Sequence, residues 1–424
     1  MDTTNNTAGE LGQQPSYRLP LAILTILFFM WGFITSLNDI LIPHLKALFD
    51  LTYFKAMAVN SAFFGAYALV SYPAGMMVKK TGYQKGLVIG LIIASLGCVG
   101  FAMAADVHQY WVFLLALFVL ASGITILQVS ANPFVSHLGP EKTASSRLTL
   151  TQAFNSLGTT LAPAFGSVFI LSVAVLSAEQ LAALAPEQLN QYYLDQASSV
   201  KFPYYLLATV LFSLAIIFAF IKLPNLKQDE ETSIADNDSV FKHRHLVLGV
   251  LAIFMYVGGE VAIGSLLVNF FKEPNIAGMT EKVGAAYVTY YWGGAMIGRF
   301  IGAYLMLKVA ANKVLTFNAL MVIVLIVIAI VADGKLAMWS ILGVGFFNSI
   351  MFPTIFSLAI HKLGALSSRG SGFLCVAIVG GALIPPLQGI VADTIGIQLS
   401  FIVPIFCYVY IAYYGFKGYK PKES

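Results

Sequence analysis

The chain has 424 residues, 58% of them hydrophobic and only 10% charged, where soluble domains carry about 25% charge. That composition excludes a soluble globular enzyme and points to a protein built into a bilayer. The net charge of +4 is not gathered into a basic stripe or an aromatic-interleaved basic run, so nucleic acid is not an expected partner. Cys98, Cys375 and Cys407 all lie inside apolar stretches and make no disulfide framework.

In chain order, a polar tail over 1–19 lacks the basic start and short apolar core of a cleaved signal peptide. A helix needs about 20 apolar residues to cross the roughly 30 Å hydrocarbon core. Hydropathy with Lys, Arg, Gly and Pro as boundaries predicts spans over 20–45, 57–78, 86–105, 110–136, 148–177 and 203–221. A polar linker follows over 222–245 (KLPNLKQDEETSIADNDSVFKHRH). Six more spans then occupy 246–271, 284–307, 314–332, 336–361, 371–392 and 398–416, before a short tail over 417–424. The fold class is an all-α membrane protein of twelve transmembrane helices, with six-helix bundles over 20–221 and 246–416.

Placing both termini and the linker in the cytoplasm leaves Lys46, Lys55, Lys201, Lys272, Lys282 and Lys335 outside and Arg299 within a span. The other 17 of the 24 Lys and Arg then lie inside, as the positive-inside rule requires. The longest predicted outer loop, 177–202, carries Glu179, Glu187 and Asp195. The halves also echo each other. Phe29-Met30-Trp31 is matched by Phe254-Met255-Tyr256, the 75–86 junction by 298–313, and Asn132-Pro133 by Phe352-Pro353, which suggests a repeat with the substrate site at its interface.

An ionisable side chain within a span costs about 2.5–3.5 kcal/mol on insertion scales, so it normally faces a cavity or a partner. Asp39, Glu260 and Arg299 are the clear cases. Arg299, near the cytoplasmic end of its span, reads as a snorkelling charge or a pair across helices at a gate. Asp39 and Glu260 have no base nearby on their own helices, so each either takes a proton or balances a bound cation. Gln128 and Asn132 stand i, i+4 on the fourth span, and Gln152 and Asn155 i, i+3 on the fifth. Asn269, Asn348 and Gln388 lie on the seventh, tenth and eleventh. Amides offer donor and acceptor without charge, the chemistry that holds a polyhydroxylated solute. Of the aromatic residues Trp31, Tyr256, Tyr290, Tyr291 and Trp292, the last stands beside Gly293 and Gly294, where a sugar face could stack. The sequence contains no HExxH, CxxC, GxxxxGK or GxSxG motif, so ATP hydrolysis and intramembrane catalysis have no support.

The segments 29–44 (FMWGFITSLNDILIPH), 73–86 (PAGMMVKKTGYQKG), 128–140 (QVSANPFVSHLGP), 153–158 (AFNSLG), 256–269 (YVGGEVAIGSLLVN), 291–299 (YWGGAMIGR) and 348–358 (NSIMFPTIFSL) resemble the major facilitator superfamily. Within it they resemble the bacterial fucose, galactose and glucose symporters, and most of all the glucose/galactose branch. The resemblance implies a monomeric twelve-helix symporter in the bacterial inner membrane that imports a hexose with a cation by alternating access and uses no cofactor. It places the family's first-span aspartate on Asp39. The proton-carrying glutamate of the fucose transporter's ETAANPF motif falls on Gln128 in QVSANPF, and an amide cannot carry a proton. The expectation is therefore sodium, bound by Asp39 with Asn38, Gln128 and Asn132 as oxygen donors, with a proton as the alternative ion. The expected sugar contacts are Gln128, Gln152, Asn155, Tyr256, Glu260, Asn269, Trp292 and Asn348. A membrane sugar sensor without transport is the alternative function on the same fold.

The topology has a direct test. A cysteine introduced within 222–245 is expected to resist an impermeant thiol reagent applied to intact cells and to react once the membrane is opened; labelling from outside would invert the assignment.

Overall fold

The computed structural model describes residues 17–49, 53–107, 109–169, 183–221, 223–224 and 239–421. Side chains are described over the same residues except 37–49, 53–61, 105–107, 164–169, 186, 189–190 and 193–200. The first bundle contains α1 (Arg18–Phe49), α2 (Tyr53–Thr81), α3 (Tyr83–Val107), α4 (Tyr110–His137), α5 (Ala144–Phe169) and α6 (Pro186–Phe220). The second opens with α7 (Arg244–Lys272), α8 (Glu281–Leu305) and α9 (Ala311–Val331). Its tenth span is split into α10 (Gly334–Asn348) and α11 (Met351–Ala359), and its eleventh into α12 (Ser367–Val376) and α13 (Gly380–Ile395). The twelfth comprises α14 (Ile397–Ser400) and α15 (Ile402–Tyr413).

Twelve spans in two sets of six match the expected architecture, with one difference. The segment expected as an outer loop becomes helical at Pro186, so α6 is 35 residues long. Proline fits the first helical turn, where its missing N–H is not needed, and hydropathy registers only the apolar part of a helix that projects beyond the bilayer. Among the described residues, α2 falls short of the apolarity shown by nine other helical stretches, as do α5 and α8. The last two are also the helices that carry Gln152, Asn155 and Arg299 between the two halves.

Without a hydrophobic drive between helices in lipid, close packing at small residues holds a bundle together. On α5, Gly158 lies so near the Phe29 carbonyl of α1 that a Cβ would sit 2.2 Å from its oxygen. On α13, Gly380 meets the Phe254 carbonyl of α7 in the same way, at 2.1 Å. Phe29 and Phe254 head the matched aromatic triplets, so the repeat seen in sequence is also a repeat of packing.

Prolines inside helices release carbonyls four residues back, and each of three finds a donor. Pro163 frees Thr159 O, which accepts from Ser36 Oγ on α1 at 3.1 Å. Pro353 frees Ser349 O, where the tenth span breaks, and Arg299 Nε of α8 donates to it at 3.1 Å. Pro133 frees Val129 O, whose donor at 2.9 Å is Ser371 Oγ on α12 of the other half.

The helix ends carrying Lys142, Lys308 and Lys362 meet in one groove, hereafter the basic end. The halves are closed against each other there. Ser145 and Ser357 hydroxyls bond at 2.6 Å, Ser146 Oγ donates to Ala303 O at 2.6 Å, and His361 Nδ1 lies 2.6 Å from Glu141 Oε1.

Overpacking a tight contact costs about 1–3 kcal/mol. Gly158→Val and Gly380→Val are each expected to lower the melting temperature in detergent, whereas Gly293→Ala, at a site with nothing within 4 Å, should leave it unchanged. Equal melting for all three would remove these contacts from the account of the fold.

Candidate functional site

The polar residues of the second half converge around Glu260. Tyr256, one turn earlier on α7, donates its hydroxyl to Glu260 Oε1 at 2.7 Å. Tyr291 of α8 donates to the Glu260 carbonyl at 3.3 Å and accepts from Asn348 Nδ2 of α10 at 2.9 Å. Tyr256, Tyr291, Asn348 and Tyr408 of α15 are all at most 1% exposed. Asn348 and the Tyr408 hydroxyl lie within hydrogen-bonding reach of each other. Arg299 lies within electrostatic reach of Glu260, and its Nη1 donates to Ser156 Oγ and to Gln152 O at 3.4 Å. A cation of one half thus grips α5 of the other.

The first half presents a counterpart. Gln128 Nε2 of α4 donates to Tyr67 Oη of α2, as Asn348 donates to Tyr291 across the corresponding helices. Phe64, one turn before Tyr67, and Val257, beside Tyr256, both lie close to Gly381 of α13, so α2 of the first half packs there against the second. Asn155 Nδ2 donates to Phe28 O at 2.9 Å, leaving its Oδ1 as the group to offer a ligand. Gln152 is buried, 7% exposed.

Other expected residues fall elsewhere. Asn269 is exposed, three residues before the end of α7. Trp292 is 45% exposed and packs near Gly264; Tyr291, a helical step of about 100° away, is the ring that enters the cluster. The side chains of Asn38 and Asp39 lie outside the described residues, although their backbone continues α1. Tyr17, just before α1, touches Gly139, just after α4. Counted from that contact, Asp39 is 22 residues up α1 and Gln128 is 11 residues up α4, a difference of about 16 Å at 1.5 Å per residue. Asn132 is deeper still. The backbone of Asp39 thus stands at another level from the two amides, and the expected shell of Asp39, Asn38, Gln128 and Asn132 involves side chains outside the described residues.

Tyr67 and Tyr408 were not anticipated. The available signal for Tyr67 was its spacing to Gln128, 61 residues, close to the 57 between Tyr291 and Asn348.

The family model described as Major Facilitator Superfamily matches residues 24–378. The chain is 54% identical over 419 residues to the glucose/galactose transporter of Brucella abortus, covering 99% of this chain and 98% of that one. It is 37% identical to the L-fucose-proton symporter of Escherichia coli, covering 95% and 93%. It superposes on the crystal structure of the transporter FucP in the outward conformation with a TM-score of 0.88 at 36% identity, over 94% of this chain and 98% of that one.

Leaving a buried polar group unpaired costs about 1–3 kcal/mol, whereas removing both partners is nearly neutral. Tyr291→Phe and Asn348→Leu should each lower the melting temperature, and the double variant should recover part of the loss. Simple addition of the two losses would show that the pair is not coupled.

Proposed function

The chain belongs to the major facilitator superfamily, and from that premise we propose that it imports a hexose of the glucose/galactose class across the bacterial inner membrane by symport with a cation. The observation that carries the proposal is the buried cluster around Glu260, with the Gln128–Tyr67 pair as its counterpart in the other half. A carboxylate accepts hydrogen bonds from sugar hydroxyls, and amide and phenol groups supply further donors and acceptors without bringing a charge the sugar cannot match. Gln128, Gln152 and Asn155 hold the sugar from the first half, and Tyr256, Glu260, Tyr291 and Asn348 hold it from the second. The names of the Brucella and Helicobacter relatives support this choice of substrate. The closed basic end and the likeness to an outward structure support alternating access, with the site reached from the side opposite the lysines.

The ion is sodium in this proposal, coupled at Asp39 with Asn38 beside it. The support is that an amide, Gln128, occupies the position of the acid in the fucose transporter's motif. A proton carried by Asp39 is the second reading. It is favoured by the level difference between Asp39 and Gln128 and by relatives named L-fucose-proton symporters.

Reconstituted vesicles separate these roles. Glu260→Gln should weaken sugar affinity by about 1.5–3 kcal/mol, the size of charge-assisted hydrogen bonds, and retain ion dependence. Asp39→Asn should abolish gradient-driven accumulation and retain exchange at equal sugar concentrations. Uptake driven by a sodium gradient at constant pH supports sodium. Uptake driven only by a proton gradient moves the coupling to the second reading, and unchanged accumulation in Asp39→Asn rejects that residue as the coupling site.

A further inference from the structure

One helical turn toward the basic end from Tyr67 and Gln128 stand Ser71 on α2 and Asn132 on α4. The chain enters both helices from the end opposite the basic end, so they run parallel, and four residues along each bring Ser71 and Asn132 to a common level. Both are 0% exposed. Neither the amide nitrogen and oxygen of Asn132 nor Ser71 Oγ has a hydrogen-bond partner. At the start of α12 the hydroxyls of Ser367 and Ser368 are buried too, Ser367 without a partner and Ser368 beside the Tyr83 hydroxyl of α3. Native proteins leave few such groups, because each loses its hydrogen bonds to water and gains nothing in return.

What covers them is the opposite half. A Cβ on Gly372 of α12 would stand 2.9 Å from the Ser71 carbonyl, and one on Gly75 of α2 would stand 2.8 Å from the Ser368 carbonyl. Ser371, between Ser368 and Gly372 in register, donates to the Val129 carbonyl of α4. These polar groups therefore line the surface along which α12 meets α2 and α4, the surface that parts if the halves rock open at the basic end.

We propose that Ser71, Asn132, Ser367 and Ser368 form a second site for sugar hydroxyls, one that exists only when α12 withdraws and that receives the sugar on its way to the cytoplasmic side. The set is neutral and offers both donors and acceptors, which suits a polyhydroxylated solute and neither an anion nor a bare cation. Sealed, Ser71, Asn132 and Ser367 lack partners; exposed, they gain them from the sugar. The same atoms thus raise the energy of the closed basic end and reward its opening. This inference rests on the sugar-transport reading above.

The test measures half-saturation for sugar exchange separately at each face, in vesicles of defined orientation, for the wild type, the Ser71→Ala/Asn132→Leu variant and the Ser367→Ala/Ser368→Ala variant. Each variant is expected to raise the ratio of inner-face to outer-face constant at least tenfold, with a melting temperature no lower than that of the wild type. Equal changes at both faces, or a lowered melting temperature with no change in the ratio, would assign the groups to packing and overturn the proposal. Absence of sugar exchange by the wild type at either face would instead overturn the transport reading itself.

Discussion

Inside lipid, a backbone carbonyl released from its helix has no water to turn to, and much of this architecture follows from where such carbonyls find donors. Pro133, Pro163 and Pro353 each free one. The donor to Thr159 O ties α1 to α5 within a half. The donor to Val129 O comes from the opposite half, and the donor to Ser349 O, Arg299, reaches across to Ser156 and Gln152 as well. One freed carbonyl, Val129 O, is thus bonded across the halves, and Arg299, the donor to a second, also reaches the opposite half. Opening the basic end gives up the hydrogen bond to Val129 O and the reach of Arg299 to α5, while the bond between Arg299 and Ser349 O lies within the second half and can travel with it.

The repeat is close in packing and unequal in chemistry. Gly158 and Gly380 make the same approach to the first helix of their half, and a tyrosine receives an amide hydrogen bond in each. Among the described residues, the carboxylate of Glu260 and the guanidinium of Arg299 accompany the pair of the second half, while neutral Ser71 and Asn132 stand one turn deeper than the pair of the first. A two-fold scaffold thus carries two similar tyrosine–amide pairs in unequal surroundings.

The span count, the two-half division and the matched triplets were legible in sequence because lipid imposes a single length and polarity on every crossing. Tyr256, Glu260 and Asn348 were also legible, since polar groups in apolar runs stand out. Tyr67 and Tyr408 were not, because tyrosine in a span reads as packing until its hydroxyl is seen to have a partner. The grouping of Asp39 with Gln128 rests on side chains outside the described residues; a motif gives residue types, whereas depth in the bilayer depends on helical rise and on where neighbouring helices touch. The helical start of α6 escaped notice because hydropathy is blind to a helix that stands in water.

The buried thiols have an experimental consequence. Cys98 lies in the core of the first half, and Cys407 packs with Ala262 and Ile384 inside the second. Cys375 is on α12 within electrostatic reach of Tyr67 on α2, so it sits at the seam between the halves. While the basic end is shut, that thiol is sealed. The alkylation rate of Cys375 by a membrane-permeant reagent is accordingly a native clock for how often the seam opens, with the other two cysteines silent and no label introduced into the chain.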